Sequence, residues 1–198
     1  MPLYRHETLA DRLPWVEVSD YEIVAVDRDR TRAFRRSAPC EYLIILNGEA
    51  NAASAHGRIT LRRNDYLALD ETDLTLRAIL PLEMMLIRGA WSETTILTLF
   101  QVRPDRDLEM HYHDGDEYWI FFRGHGTALS EGRSYEVGPG AMIATGMGYE
   151  HGFPGANARE TLEAVAFETA LHGQKRRGHL HREEHGDPVP ARALEATR

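Results

Sequence analysis

The chain predicts an all-β fold, a jelly-roll type of barrel made from one unit used twice. Short apolar stretches recur at regular spacing with turn residues between them, the pattern of barrels and sandwiches. An internal repeat is also present. Trp15 and Trp91 stand 76 residues apart, and the same offset pairs Val26 with Val102, Asp29 with Asp105, Arg30 with Arg106, Glu41 with Glu117, Tyr42 with Tyr118 and Gly48 with Gly124. The stretch 111–124, HYHDGDEYWIFFRG, adds metal-ligand side chains at a spacing that a strand and a turn bring together.

In the first half, strands are predicted at Tyr21 to Val26, Tyr42 to Leu46, Ile59 to Leu61, Tyr66 to Leu69, Leu74 to Arg77 and Met84 to Ile87, with turns at Gly48, Gly57 and Asn64-Asp65. In the second half they fall at Thr95 to Val102, Met110 to His113, Glu117 to Phe122, Thr127 to Ser130, Ser134 to Val137, Met142 to Thr145 and Thr161 to Glu168. A one-residue gap aligns Gly57-Arg58 with Gly132-Arg133, and a later insertion aligns Leu82-Glu83 with Leu162-Glu163. The expected organisation is an N-terminal half over residues 1–90, a C-terminal half over 91–170 and a tail over 171–198. The tail is charged and histidine-rich and lacks strand periodicity, so His179, His181 and His185 read as solvated rather than as a second metal site. Its last eight residues, ARALEATR, suit a short helix.

Side chains alternate faces along a strand, so His111 and His113 share one face, and the turn Asp114-Gly115-Asp116 returns the chain so that Glu117 joins them. After the turn Glu117, Trp119 and Phe121 line the interior, with Tyr118, Ile120 and Phe122 on the other side. Downstream, Gly138-Pro139-Gly140 turns into a strand that leads to His151. Three imidazoles and one carboxylate form a mixed nitrogen and oxygen site suited to one divalent transition metal, with Fe(II) first and Mn, Ni or Zn as alternatives. Trp119 and Phe121 are the candidate substrate-binding walls, and Glu117 is the candidate catalytic residue as well as a ligand.

The combination HxH, three residues, Glu, six residues, Gly, followed by PG, ten residues, His, resembles the two signature motifs of the cupin superfamily. His111, His113, Glu117 and Gly124 match the first motif, and Pro139, Gly140 and His151 match the second. Ala141 stands where the second motif usually has an acidic residue. The resemblance implies a bicupin-like barrel pair with a metal held by two histidines and a glutamate from one motif and a histidine from the other. The repeat serves as an internal control: it sets His111 opposite Arg35, His113 opposite Ser37, Glu117 opposite Glu41 and His151 opposite Leu76. The first half is therefore expected to lack the metal site, and His56 beside Gly57 reads as a loop residue.

Composition limits the function classes. The 198 residues are 42% hydrophobic and 27% charged, which is enough for a sizeable core. A net charge of −8 leaves no basic footprint for nucleic acid or for an anionic membrane. With no apolar h-region and no spanning apolar run, the expected location is cytoplasmic. Cys40 is the sole cysteine, so no intramolecular disulfide forms, and Lys175 is the sole lysine, which counts against lysine-based chemistry. A small-molecule substrate and a homodimer are the expected partners.

Open coordination positions beside the ligand set point to catalysis rather than a closed structural site. What the cupin resemblance implies is a mononuclear non-heme iron oxidoreductase of dioxygenase type. The alternatives are a metal-dependent isomerase, epimerase or lyase acting on a sugar or a hydroxy or keto acid, and a ligand-binding or sensing barrel without turnover.

Overall fold

The computed structural model describes residues 2–169 and 178–190, so the helix expected at 191–198 lies outside the described residues. After a short first strand, β1 (Leu3–Arg5), residues Ala10–Trp91 make one compact unit, and the described residues on either side of it make the other. The first unit holds β2 (Val18–Val26), β3 (Thr31–Phe34), β4 (Cys40–Asn47), β5 (Glu49–Ser54), β6 (Gly57–Arg62), β7 (Tyr66–Ala68), β8 (Leu74–Ala78) and β9 (Leu82–Gly89). Its antiparallel strands form one sheet in the order β2-β9-β4-β7 and another in the order β3-β8-β5-β6.

The second unit follows the same course through β10 (Thr94–Val102), β11 (Leu108–His111), β12 (Asp116–Arg123), β13 (Gly126–Ser130), β14 (Arg133–Val137), β15 (Ala141–Thr145), β16 (His151–Phe153) and β17 (Leu162–Thr169). Its sheets run β1-β15-β12-β17-β10 and β11-β16-β13-β14, so apart from the added β1 the two strand orders are equivalent. Leu3 pairs with Ile143 and Arg5 with Ala141, which takes the first residues into the unit that binds the sequence motifs.

Each unit buries the side chains that face inward between its sheets. Leu43, Ile45, Ala52, Leu61, Leu76 and Met84 meet in one core, and Trp119, Phe121, Ala128, Val137, Ile143 and Phe153 meet in the other. Each large side chain so buried contributes about 1.5–3 kcal/mol. The central strands β4 and β12 are buried on both faces, since Ile44, Leu46, Tyr118 and Ile120 are fully enclosed as well, which is why they read as unbroken apolar runs. Gly48 and Gly124 end these strands with φ of 93° and 72°, and a Cβ there would stand 2.2 Å from the Pro81 carbonyl oxygen and 2.5 Å from that of Thr161. Only glycine fits either corner.

Strand pairing corrects the repeat alignment. Ser54 pairs with Gly57, and Ser130 with Arg133, so both hairpins have two-residue turns and the 76-residue offset continues without the expected gap. The glycines misled the alignment because they serve different positions: Gly132 sits inside its turn at φ 70°, whereas Gly57 follows its turn at φ 125°. β3 escaped the sequence reading because TRAF is only four residues long, and β5 because the alanine-rich EANAAS carries no β-branched or aromatic residue. No helix among the described residues is long and apolar enough to cross a membrane.

Candidate metal centre

The metal-ligand side chains come from both sheets of the second unit. His111 ends β11, where the strand stops earlier than the expected His113. Tyr112 bridges to Leu180 instead, and His113 lies in the bend before β12. Glu117 is near the start of β12, and His151 opens β16 directly opposite His111. One potential ligand atom from each of His111, His113, Glu117 and His151 lies within 4.8 Å of the others, and all four residues are buried.

The hydrogen bonds prepare these donors for a cation. Nδ1 of His111 donates to the Glu109 carbonyl at 2.7 Å, and Nδ1 of His151 to the Tyr149 carbonyl at 2.9 Å. A carbonyl can only accept, so both rings carry a proton on Nδ1 and turn Nε2 toward the site. Nε2 of His151 stands 2.7 Å from Oε2 of Glu117, and Nε2 of His113 stands 3.3 Å from the same oxygen. A lone pair facing a carboxylate at that distance requires a positive particle between them, either a proton or a metal ion. Burial, assisted by the neighbouring His151, pushes the His111 imidazole down to about 3, so it is neutral at physiological pH. Burial alone would raise Glu117, but the hydrogen bonds from His113 and His151 outweigh it and hold the carboxyl well below its usual range. A metal ion could take the place of the proton between these nitrogens and the ionised Glu117 carboxylate, and the donor set fits one transition ion.

The sequence reading did not single out Glu168. It pairs with Glu117 across β12 and β17, is buried, and places Oε1 3.8 Å from Nδ1 of His113. Its signal was present as a carboxylate inside a strand, LEAVAFET, whose every residue is buried. The Trp119 ring lies 5.1 Å from that of His151 and forms a wall of the site, whereas the ring contacts of Phe121 are with Trp119 and Phe100, one layer deeper.

The first unit shows what replaced the site. Phe34 pairs with Leu74 as His111 pairs with His151, so the counterparts are Phe34 and Leu74 rather than the expected Arg35 and Leu76. A bulge in β11 between Leu108 and His111 adds the residue that moves the counterpart of His111 from Arg35 to Phe34, and the gap wrongly inserted at the glycines misplaced the counterpart of His151. Glu41 keeps the place of Glu117, but Arg88 pairs with it as Glu168 pairs with Glu117. Oε1 of Glu41 accepts from Nε of Arg88 at 2.8 Å, and Oε2 accepts from the Ser37 backbone N–H at 2.7 Å and from its hydroxyl at 3.0 Å. A guanidinium supplies the positive charge at this buried carboxylate.

The tail histidines are also placed by the fold. His179 stacks on His111 with centroids 4.3 Å apart, His181 Nδ1 reaches the Met110 carbonyl at 3.3 Å, and His185 lies in a single helical turn, α1 (Arg182–His185). They do not converge on a separate site; among the described residues the metal-ligand group is the one around Glu117.

No protein-family model matches the chain. An uncharacterised protein of Sinorhizobium fredii (strain NBRC 101917 / NGR234) is 29% identical over 191 residues, covering 87% of each chain. Among solved structures, a variant of oxalate decarboxylase from Bacillus subtilis aligns at a TM-score of 0.59 with 11% identity, covering 81% of this chain and 71% of that one. YhaK from Escherichia coli aligns at 0.58 with 12% identity over 75% and 83% of the two chains. Hazelnut (Corylus avellana) vicilin aligns at 0.55 with 10% identity over 79% and 76%. These are cupin-domain proteins, and the fold of this chain is the cupin fold.

Proposed function

We propose that the chain is a metal-dependent cupin enzyme for a small organic substrate, with a mononuclear iron(II) oxidoreductase of dioxygenase type as the leading reading. The observation that carries it is the meeting of three buried imidazoles with a buried carboxylate held ionised. His111, His113, Glu117 and His151 would hold the ion, which would supply redox and Lewis-acid chemistry to a bound substrate.

The chain's own residues set the conditions. The Glu109 and Tyr149 carbonyls orient two of the rings through Nδ1. Oε1 of Glu168 lies 3.8 Å from Nδ1 of His113, an acceptor that favours the proton on that nitrogen and leaves Nε2 to the site. Trp119 excludes water from the side of His151 and offers a flat apolar face. A second reading, Lewis-acid isomerisation or elimination, is favoured by Glu168, a buried carboxylate beside the ligands that could hold a transferable proton.

Elemental analysis of protein purified without added metal or chelator, followed by oxygen-electrode assays with small acids, phenols and thiols, tests the two readings. About one iron per chain with substrate-dependent oxygen uptake supports the first, since iron is the ion among these that pairs the donor set with dioxygen chemistry. Manganese, zinc or nickel without oxygen uptake moves the assignment to the second. Ligand binding by a metal-free protein with no turnover refutes both.

A further inference from the structure

The segment after the last strand is held across the mouth of the metal centre. Tyr112, next to His111, donates its backbone N–H to the Leu180 carbonyl at 2.9 Å and accepts from the Leu180 N–H at 3.0 Å. Its hydroxyl donates to the Gly186 carbonyl at 3.0 Å, so one buried tyrosine grips the segment at two points six residues apart. Further along, Arg182 pairs with Glu150, the residue before His151, at 3.2 Å. The Val189 carbonyl packs so closely on Gly148 that a Cβ there would lie 2.2 Å away. The strap is thus fastened to the residues that flank His111 and His151 in the chain.

These fastenings bring His179 onto the ligands. Its ring lies 4.3 Å from that of His111 at an interplanar angle of 23°, a stacked contact, and 5.0 Å from that of His113. A groove of about 460 Å3 lies at this point, lined by Asp105, Arg106, Asp107, His111, His179 and His181 among others.

We propose that His179 is a positioning residue of the metal centre: its ring covers His111 and controls exchange between the buried ligands and solvent. This rests on the metal-binding reading of His111, His113, Glu117 and His151. The cover acts by stacking and water exclusion, so another flat ring suffices, and the pairing of Tyr112 with the strap residue Leu180 holds it in place.

The test is release of Co(II) from the loaded full-length protein into excess EDTA, followed by the cobalt absorption bands in wild type, His179→Ala and His179→Phe. All three are expected to hold the same amount of cobalt before chelation. His179→Ala should then release it about tenfold faster, as removal of groups supporting metal ligands typically does, while His179→Phe stays within about twofold of wild type. Equal rates in wild type and His179→Ala would overturn the proposal, and so would a His179→Phe protein as fast as the alanine variant, which would make the imidazole a ligand. Wild type that holds no cobalt, indistinguishable from His111→Ala, would instead defeat the metal-binding reading and the cover with it. Circular dichroism melting of each variant confirms that the exposed position tolerates the change.

Discussion

Replacing Arg88 by methionine removes the charge paired with the buried Glu41 in the first unit. Its guanidinium pairs with Asp20 at 2.7 Å, Glu22 at 2.6 Å and Glu41 at 2.8 Å. The Asp20 and Glu22 side chains are 35% and 43% exposed, so water replaces the arginine there and each pair is worth about 0–1 kcal/mol. The Glu41 side chain is 2% exposed, and breaking a buried pair by removing one partner costs about 3–5 kcal/mol. Because Ser37 keeps its two hydrogen bonds to Glu41, the expected loss is at the low end, about 3 kcal/mol. Urea unfolding followed by tryptophan fluorescence and circular dichroism measures it. Adding Glu41→Gln to Arg88→Met removes the stranded charge, and the double variant should recover more than half of the loss. A single variant destabilised by under about 1 kcal/mol, or a double variant no more stable than the single, would refute the view that Arg88 neutralises Glu41.

His111→Ala and His151→Ala should each lose most bound metal while keeping the fold, and wild type should saturate at about one ion per chain, because Phe34, Leu74 and Arg88 close the other unit to metals; two tightly bound ions would contradict the pairing with Glu41. The metal-free protein should lose stability in acid through His111: its unfolded form takes up a proton near 6.5 and the folded form near 3, so its contribution is complete above 6.5 and shrinks as pH falls towards 3. The slope from this group is on the order of 1 kcal/mol per pH unit, and Glu117 adds the same sign below 4.5. Urea midpoints at several pH values should therefore fall more steeply in wild type than in His111→Gln, and equal slopes would count against it. Gly124→Ala, which meets the Thr161 carbonyl at positive φ, should cost about 3 kcal/mol, whereas Gly132→Ala, with open space around it, should cost about 1 kcal/mol in the same assay.

Much of the fold was legible because its signals are local. Period-two apolar runs and turn residues located every strand of the second unit except β1 and the short β16. Leu3–Arg5 is too short to show periodicity and is a strand only because β15 offers it an edge. The ligand group was legible for a similar reason: HxH with a turn and a glutamate places its members by local geometry, and a glycine that tolerates positive φ ends the strand that follows. The hold on Leu180 and Gly186 was not legible, because nothing within the tail reveals that Tyr112 supplies their hydrogen-bond partners.

By itself the sequence determined the all-β class, the two-fold repetition of one strand pattern and the residues that could ligate a metal, all of which depend on side-chain type and spacing along the chain. Tertiary structure alone decided which residues face each other across strands. It set Phe34 and Leu74 in place of ligands, put Arg88 on Glu41 where the other unit has Glu168 on Glu117, and laid His179 on His111. These are relations between segments far apart in sequence, and the bulged residue in β11 shifted the register of His111 beyond what a constant offset could follow.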